Sequence, residues 1–371
     1  MKKAAVLLIK CLAICSFICA VFASPVIAVE PVTVKLTTME DNIKCYVCHA
    51  DPKMKARLSS GKLRSFYIDK GIFENSTHGS HTCTSCHKDI VQVPHGSGIK
   101  SVNCASCHYV ENIYGAPTSK EFVERYVKYQ KSVHKKELDA GNPDAPACQD
   151  CHGSHDIVKP SRPESRINRK NIPKTCGRCH LDEYTAYRTS IHGEMHDKGF
   201  MRAAICTDCH GEHNIQATAS RASSVFFTAI PETCGKCHKE EKVMSKFGIS
   251  AEQYKTYRES YHGKASRFGV TTVANCASCH GFHDIRPPDD PKSSVNRKNL
   301  PKTCGKCHKG TNINYSRGKM HIEASQKDAG AVYWIALAFK ILTLGTILAL
   351  IAHIILDLLR RILSRKDYGR E

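Results

Sequence analysis

Once residues 1–28 are set aside, no cysteine lies outside one repeated pentapeptide, which excludes a disulfide scaffold. Tryptophan occurs once in 371 residues and aromatics make up only 7%. A large aromatic core is therefore absent, and something other than side chains must fill the interior. Strand-type alternation is weak throughout. Long apolar runs occur only at the two ends, which excludes a polytopic membrane protein. The composition also rules out a collagen and a disordered basic tail. Acidic residues are scarce, 35 against 54 Lys and Arg, leaving a net charge of +19. On its own that excess would suggest nucleic acid or anionic lipid.

The two ends read differently. Residues 1–28 have the form of a secretory signal: Lys2 and Lys3, an apolar stretch broken by Lys10, then small residues up to Ala28. Cys11, Cys15 and Cys19 are apolar filler on this reading, and the alternative is an uncleaved N-terminal anchor. Near the C-terminus, residues 331–359 form an apolar stretch long enough to span about 30 Å of hydrocarbon as a helix. Tyr333 and Trp334 mark one interface; Arg360, Arg361, Arg365 and Lys366 in the tail 360–371 mark the other. By the positive-inside rule that tail faces the cytoplasm. His353 lies inside the span, where it either packs on a partner helix or touches a quinone or b-type haem.

What is abundant is Cys-x-x-Cys-His, present nine times. The copies are Cys45, Cys48 and His49; Cys83, Cys86 and His87; Cys104, Cys107 and His108; Cys148, Cys151 and His152; Cys176, Cys179 and His180; Cys206, Cys209 and His210; Cys234, Cys237 and His238; Cys276, Cys279 and His280; and Cys304, Cys307 and His308. Two thiols at this spacing reach the vinyl groups on one haem edge, and the adjacent histidine lies beneath the iron. A zinc ribbon would pair Cys-x-x-Cys units over a longer spacer without an obligate histidine, and a dithiol oxidoreductase would need one motif. Nine copies with histidine every time predict nine covalent c-type haems.

Twelve further histidines remain, eleven of them outside the span. An internal repeat selects among them. Its first copy has Tyr126, Tyr129, Ser132 and His134, then the Cys148 motif with Gly153 and His155, then Pro173, Thr175 and the Cys176 motif. The second has Tyr184, Tyr187, Ser190, His192, the Cys206 motif, Gly211, His213, Pro231, Thr233 and the Cys234 motif. The third has Tyr254, Tyr257, Ser260, His262, the Cys276 motif, Gly281, His283, Pro301, Thr303 and the Cys304 motif. Two motifs and two extra histidines per copy is the ratio that bis-histidine ligation requires. The expected distal ligands are these six together with His78, His95 and His321, with His81 and His196 in reserve. A surface histidine is the alternative for any one of them. His155, His213 and His283 follow their own motif histidine too closely to reach the far face of the same haem, so they are expected to ligate neighbours.

The expected fold class is mainly α with extensive irregular loops, a multihaem cytochrome c fold organised around stacked haems, plus one C-terminal transmembrane helix. The regions are a signal (1–28), a three-haem part (29–117), a repeated six-haem part (118–325), the span (331–359) and the tail (360–371). Single amphipathic helices are expected over 118–136, 182–195 and 250–262, with capping boxes at Thr118/Glu121 and Ser250/Gln253. Thr175, Thr233 and Thr303 are expected to N-cap the following motif turn. The glycines after His152, His210 and His280 are expected to end theirs in a left-handed conformation. The tyrosine pairs are read as packing residues rather than redox tyrosines.

The nine motifs, with the Ser-x-His-Gly and Cys-His-Gly-x-His elements, resemble the multihaem c-type cytochromes of anaerobic respiratory bacteria over roughly residues 41–321. The resemblance is to the periplasmic kind anchored in the bacterial inner membrane. It implies electron flow from the quinol pool to periplasmic or outer-membrane cytochromes. The familiar tetrahaem quinol dehydrogenases carry an N-terminal anchor, whereas this chain carries a C-terminal one. That difference points to a separate b-type cytochrome, or another quinol-oxidising membrane subunit, as partner. An electron conduit needs no substrate site of its own. The competing class is a multihaem reductase of nitrite, hydroxylamine or a sulfur oxyanion with one open haem. No Cys-x-x-Cys-Lys is present to mark such a haem. An extracellular filament is the third class, and the C-terminal span argues against it.

The charge then takes another meaning. Leader and tail carry +3 each, leaving +13 on the exported part. Nine haems would bring 18 propionates and, when ferric, nine positive cores, giving about +4 oxidised and about −5 reduced. Arg169, Lys170, Arg297 and Lys298 are read as propionate partners or solvated faces, and nucleic acid is not an expected partner.

Overall fold

A computed structural model describes residues 41–57, 63–96, 98–109, 120–316, 320–322 and 327–367. The signal, Thr118 and the last four tail residues lie outside them. The chain divides into two compact units, residues 1–68 with 80–119, and residues 69–79 with 120–371. The described parts are mainly α-helical, in short pieces, as the sequence predicts.

In the first unit the Cys45 motif closes the helix Asp41–His49. A two-stranded antiparallel hairpin follows, Lys55–Arg57 against Leu63–Ser65. The next two motifs sit on single helical turns, Cys83–Cys86 and Ala105–His108. Thr82 caps the first of these turns, its side chain accepting from the Ser85 N–H. Buried Asn42 ties the first motif to the second: its amide donates to the His81 carbonyl (3.3 Å) and accepts from the Cys83 N–H (2.8 Å).

The second unit is built from the repeat. Each copy opens with two helices where the sequence predicts one: Lys120–Gln130 then Val133–Asp139, Leu181–Arg188 then Ile191–Asp197, and Glu252–Glu259 then Tyr261–Arg267. The break falls at Ser132, Ser190 and Ser260. Each serine takes an extended backbone and its side chain accepts from an N–H of the next helix, so it starts a new helix instead of sitting inside one. The Ser250/Gln253 box is likewise replaced. Ala251 occupies the cap position, and Ser250 accepts from the Glu252 N–H at 3.1 Å.

The first motif of each copy forms one turn: Cys148–His152, Cys206–His210 and Cys276–His280. The following glycines have φ of 90°, 81° and 78°, but ψ near 180°. The positive φ is as expected, yet the backbone leaves the turn extended, in a region essentially reserved for glycine. The second motif rides on Ile172–Cys176, Ile230–His238 and Leu300–Gly305, each with proline at its start. Thr175, Thr233 and Thr303 are not caps here. They lie inside these helices and donate back to the carbonyls of Arg166, Ser224 and Ser294 at 2.6–2.7 Å, fastening the preceding loop.

Among the described residues the buried hydrophobic set is small and the buried polar set is dominated by serine and threonine. Helix Ala331–Asp367 ends the described chain. Its segment Ala331–Leu363 contains an 18-residue window of mean hydropathy 2.3 and is long and apolar enough to cross a membrane. At 37 residues it is about 55 Å long, so the start of the basic tail continues the helix. Ending the chain at residue 330 is expected to yield a protein that partitions into water without detergent, checked by phase separation against the full chain.

Candidate functional site

The motif cysteines are arranged as neighbours. Among the described residues no disulfide joins them. The thiols of Cys176 and Cys206 share a hydrogen bond, as do those of Cys234 and Cys276. These contacts, then burial, raise the Cys176 and Cys234 thiols; the same contacts lower Cys206 and Cys276 against the opposing effect of burial. Cys151 feels Cys176, Cys209 feels Cys234, and Cys279 feels Cys304; burial first, then these neighbours, push Cys151 and Cys209 up to about 11. In the second unit the six motifs thus abut one another in chain order. In the first unit Cys45 meets Cys83, whose thiol is pushed up to about 12 mainly by burial, and Cys86 feels Cys107.

The histidines form pairs. His49 faces His95 with ring centroids 6.1 Å apart. His152 faces His213 at 6.0 Å, His210 faces His283 at 6.1 Å, and His280 faces His321 at 6.3 Å. His180 faces His134 at 6.3 Å, His238 faces His192 at 6.2 Å, and His308 faces His262 at 6.1 Å. Two imidazoles in face contact would sit about 3.5–4 Å apart. Two metal–nitrogen bonds of about 2.0–2.1 Å plus the two ring radii require roughly 6 Å. At these seven motifs the spacing therefore fits one metal ion held between two rings, with the cysteines of the same motif beside it. Among the described residues no three His, Cys, Asp or Glu converge as a closed zinc cage would need. Such a donor set could hold a covalently attached haem between two histidines.

The pairing interlocks the repeats. The first motif of a copy faces a histidine from the next copy: His152 with His213, His210 with His283. The third copy has no successor, and His321 takes that place. The second motif of each copy faces the histidine that opens the same copy.

Burial keeps most of these rings neutral. Half-buried His192 and His280 are pushed down to about 4, first by desolvation and then by the facing histidine. His134, His210, His213, His238, His262 and His321 are lowered mainly for the same reason, as are His87 and His108. A neutral imidazole is the form that binds a metal. Outer contacts orient the rings: His49 Nδ1 lies 2.8 Å from the Phe66 carbonyl, and His321 Nδ1 lies 3.0 Å from the Thr256 hydroxyl. Such contacts leave Nε2 for the metal.

Several expected residues have other surroundings. His155 lies edge-on to Phe73, with centroids 6.1 Å apart. His78 belongs to a further Ser-x-His-Gly copy, Ser76 to Gly79. There the Thr77 N–H donates to the Ile157 carbonyl, just as Val133 donates to Ile215 and Ile191 to Ile285. The His81 carbonyl accepts from Asn42. His196 is buried with Nε2 3.3 Å from the Arg169 carbonyl. Arg169 is not a spare propionate partner. It forks onto Asp208 (2.6 and 3.1 Å) and donates to the Met201 and Ala203 carbonyls, clamping the loop before the Cys176 motif's helix to the Cys206 motif.

The tyrosines pack, as their spacing suggests. Tyr129, Tyr187 and Tyr257 donate to the carbonyls of Pro146, Ala204 and Ala274, each two residues before a motif. Burial raises all three phenols, which keeps them protonated. Tyr184 and Tyr254 cover Gly177 and Gly235, where a Cβ would come within 2.5 Å of the ring. That close approach explains glycine after the first cysteine of these two motifs.

One known protein shares part of this sequence. The chain is 32% identical over 126 residues to multiheme cytochrome MtrC of Shewanella baltica (strain OS185). This likeness supports a multihaem c-type cytochrome. The matched stretch is 33% of the chain and 17% of that relative, so the chain spans about a sixth of the relative's length. No protein-family model and no solved structure matches. For a multihaem cytochrome the supported role is electron transfer, with the motif cysteines as covalent anchors.

Proposed function

We propose that the chain carries nine covalently attached c-type haems, each held by two motif cysteines and two histidines, and acts as a membrane-anchored periplasmic electron conduit. It takes electrons from the quinol pool through a b-type cytochrome or another quinol-oxidising membrane subunit. It delivers them to periplasmic or outer-membrane cytochromes in anaerobic respiration. The apolar helix holds it in the bacterial inner membrane, with the motif-bearing part in the periplasm. The observation that carries this reading is the repeated 6.0–6.3 Å spacing of paired histidines. When bound, each haem supplies a one-electron iron couple whose potential follows its axial ligands and burial.

The chain's own residues do the rest. At the seven motifs with a facing ring, the paired imidazoles would hold the iron from both sides and leave no place for substrate there. The adjacency of successive motif cysteines favours a close row over isolated sites. Bound propionates would offset much of the basic excess, so any charge-guided partner meets a surface whose sign depends on redox state.

The test is the purified full-length protein with its haems. Mass spectrometry is expected to find nine haems per chain. The oxidised form is expected to be low-spin, and the reduced form is expected to leave carbon monoxide unbound. A high-spin fraction that binds the gas would overturn the conduit reading in favour of a reductase.

A further inference from the structure

We infer that the six attachment sites of the second unit are of two kinds that alternate along the chain, distinguished by the angle between paired imidazole planes, and that Ser190 and Ser260 position the more twisted kind. The inference rests on the reading that these histidines ligate iron.

The angles separate by motif. At the first motif of each copy the planes are close to parallel: 24° for His152–His213, 26° for His210–His283 and 30° for His280–His321. At the second motif they are twisted: 37° for His180–His134, 59° for His238–His192 and 49° for His308–His262. In chain order the sites therefore run near-parallel, twisted, near-parallel, twisted, near-parallel, twisted.

The cause is the element that delivers the second histidine. His213 and His283 lie in a bend of the backbone, two residues after a positive-φ glycine. His134, His192 and His262 occupy the second position of a serine-capped helix, so the helix axis sets their ring direction. That helix start is fixed tightly. The Ser190 hydroxyl donates to the Tyr187 carbonyl (2.6 Å) and accepts from the Gly193 N–H (3.1 Å). Ser260 does the same with Tyr257 (2.7 Å) and Gly263 (3.1 Å). The two delivery routes are also tied to each other. The Ile215 and Ile285 carbonyls, two residues beyond His213 and His283, accept from Val133 and Ile191, each one residue before a helix-borne histidine. The backbone that delivers one kind of ring is thus fastened to the backbone that delivers the other.

Two parallel imidazoles donate into the same iron d orbital and split the pair of orbitals that would otherwise be nearly degenerate. Twisted imidazoles donate into both and leave them closer in energy. In a ferric low-spin ion the first arrangement gives an ordinary rhombic paramagnetic resonance signal. The second gives a single broad feature at much lower field.

The experiment is low-temperature paramagnetic resonance on the oxidised full-length holoprotein in detergent. Both signal types are expected, the low-field feature coming from at least the His192 and His262 sites. A wholly rhombic low-spin spectrum would overturn the alternation. A predominantly high-spin spectrum would overturn the ligation reading itself, so the two failures are distinguishable. Ser190→Ala, with haem count checked by mass, is expected to shift or remove one low-field site, and Ser190→Thr to restore it. An unchanged spectrum at unchanged haem count would reject Ser190 as a positioning residue. If Ser190→Ala fails to mature, His192→Met and His283→Met test the same point. The first should subtract from the low-field feature and the second from the rhombic signal; subtraction from the same signal by both would overturn the inference.

Discussion

Replacing His283 with alanine is expected to open a site that belongs to the preceding repeat. His283 sits three residues after His280, but its ring faces His210, and His280 faces His321. The variant should therefore leave the Cys276 site closed and deprive the Cys206 site of its second axial ligand. The reduced variant is expected to bind carbon monoxide at one site in nine, and the oxidised form to gain a high-spin signal of the same weight. Adding Cys206→Ala and Cys209→Ala should abolish both, because the opened site is no longer built. Persistence of carbon monoxide binding in that combined variant would show that His283 serves a different motif.

Gly263→Ala is expected to be the most damaging single-methyl change. A Cβ at residue 263 would lie 2.0 Å from the Tyr257 carbonyl oxygen and 2.7 Å from the Arg258 Cα. Both are backbone atoms of the preceding helix, so no side chain can swing aside. Alanine would ordinarily favour the helix by up to about 1 kcal/mol. Overpacking against a fixed backbone costs about 3 kcal/mol and dominates. The expected result is a lower yield of fully loaded protein and a lower temperature for loss of the visible circular dichroism. Gly305→Ala is the control: it lies in a helix with nothing within 4 Å of the added methyl, and is expected to be neutral or slightly stabilising. Equal loss in both would mean that local chain stiffness, not the clash, is responsible.

These two expectations show how far the sequence could be read. Cys-x-x-Cys-His is a local motif, so the attachment residues were visible without any fold. The one-to-one supply of histidines was visible from the repeat. The helix breaks gave no signal because apolar spacing (Tyr126, Tyr129, Val133; Tyr184, Tyr187, Ile191; Tyr254, Tyr257, Tyr261) continues past Ser132, Ser190 and Ser260 with helical periodicity. A serine facing its own helix gives no periodic signal until its hydroxyl is seen to cap the next one. Thr175, Thr233 and Thr303 misled for a related reason. A threonine before a motif can cap the following turn or bond backwards, and the proline two residues earlier had already started the helix. Arg169 looked like loose positive charge because its partners, Asp208 and the Met201 and Ala203 carbonyls, lie more than thirty residues away.

The sequence by itself determined the cofactor chemistry, the repeat, the mainly helical class and an apolar segment long enough to span a membrane. Each depends on residue type at fixed short spacing, which a linear chain displays directly. Only the tertiary structure decided which histidine faces which, from which copy each facing ring comes, and how far each ring pair is twisted. Those are relations between residues 41 to 73 positions apart in the second unit. They are set by helix starts and backbone hydrogen bonds between copies, such as Ile191 to Ile285, which no local pattern encodes.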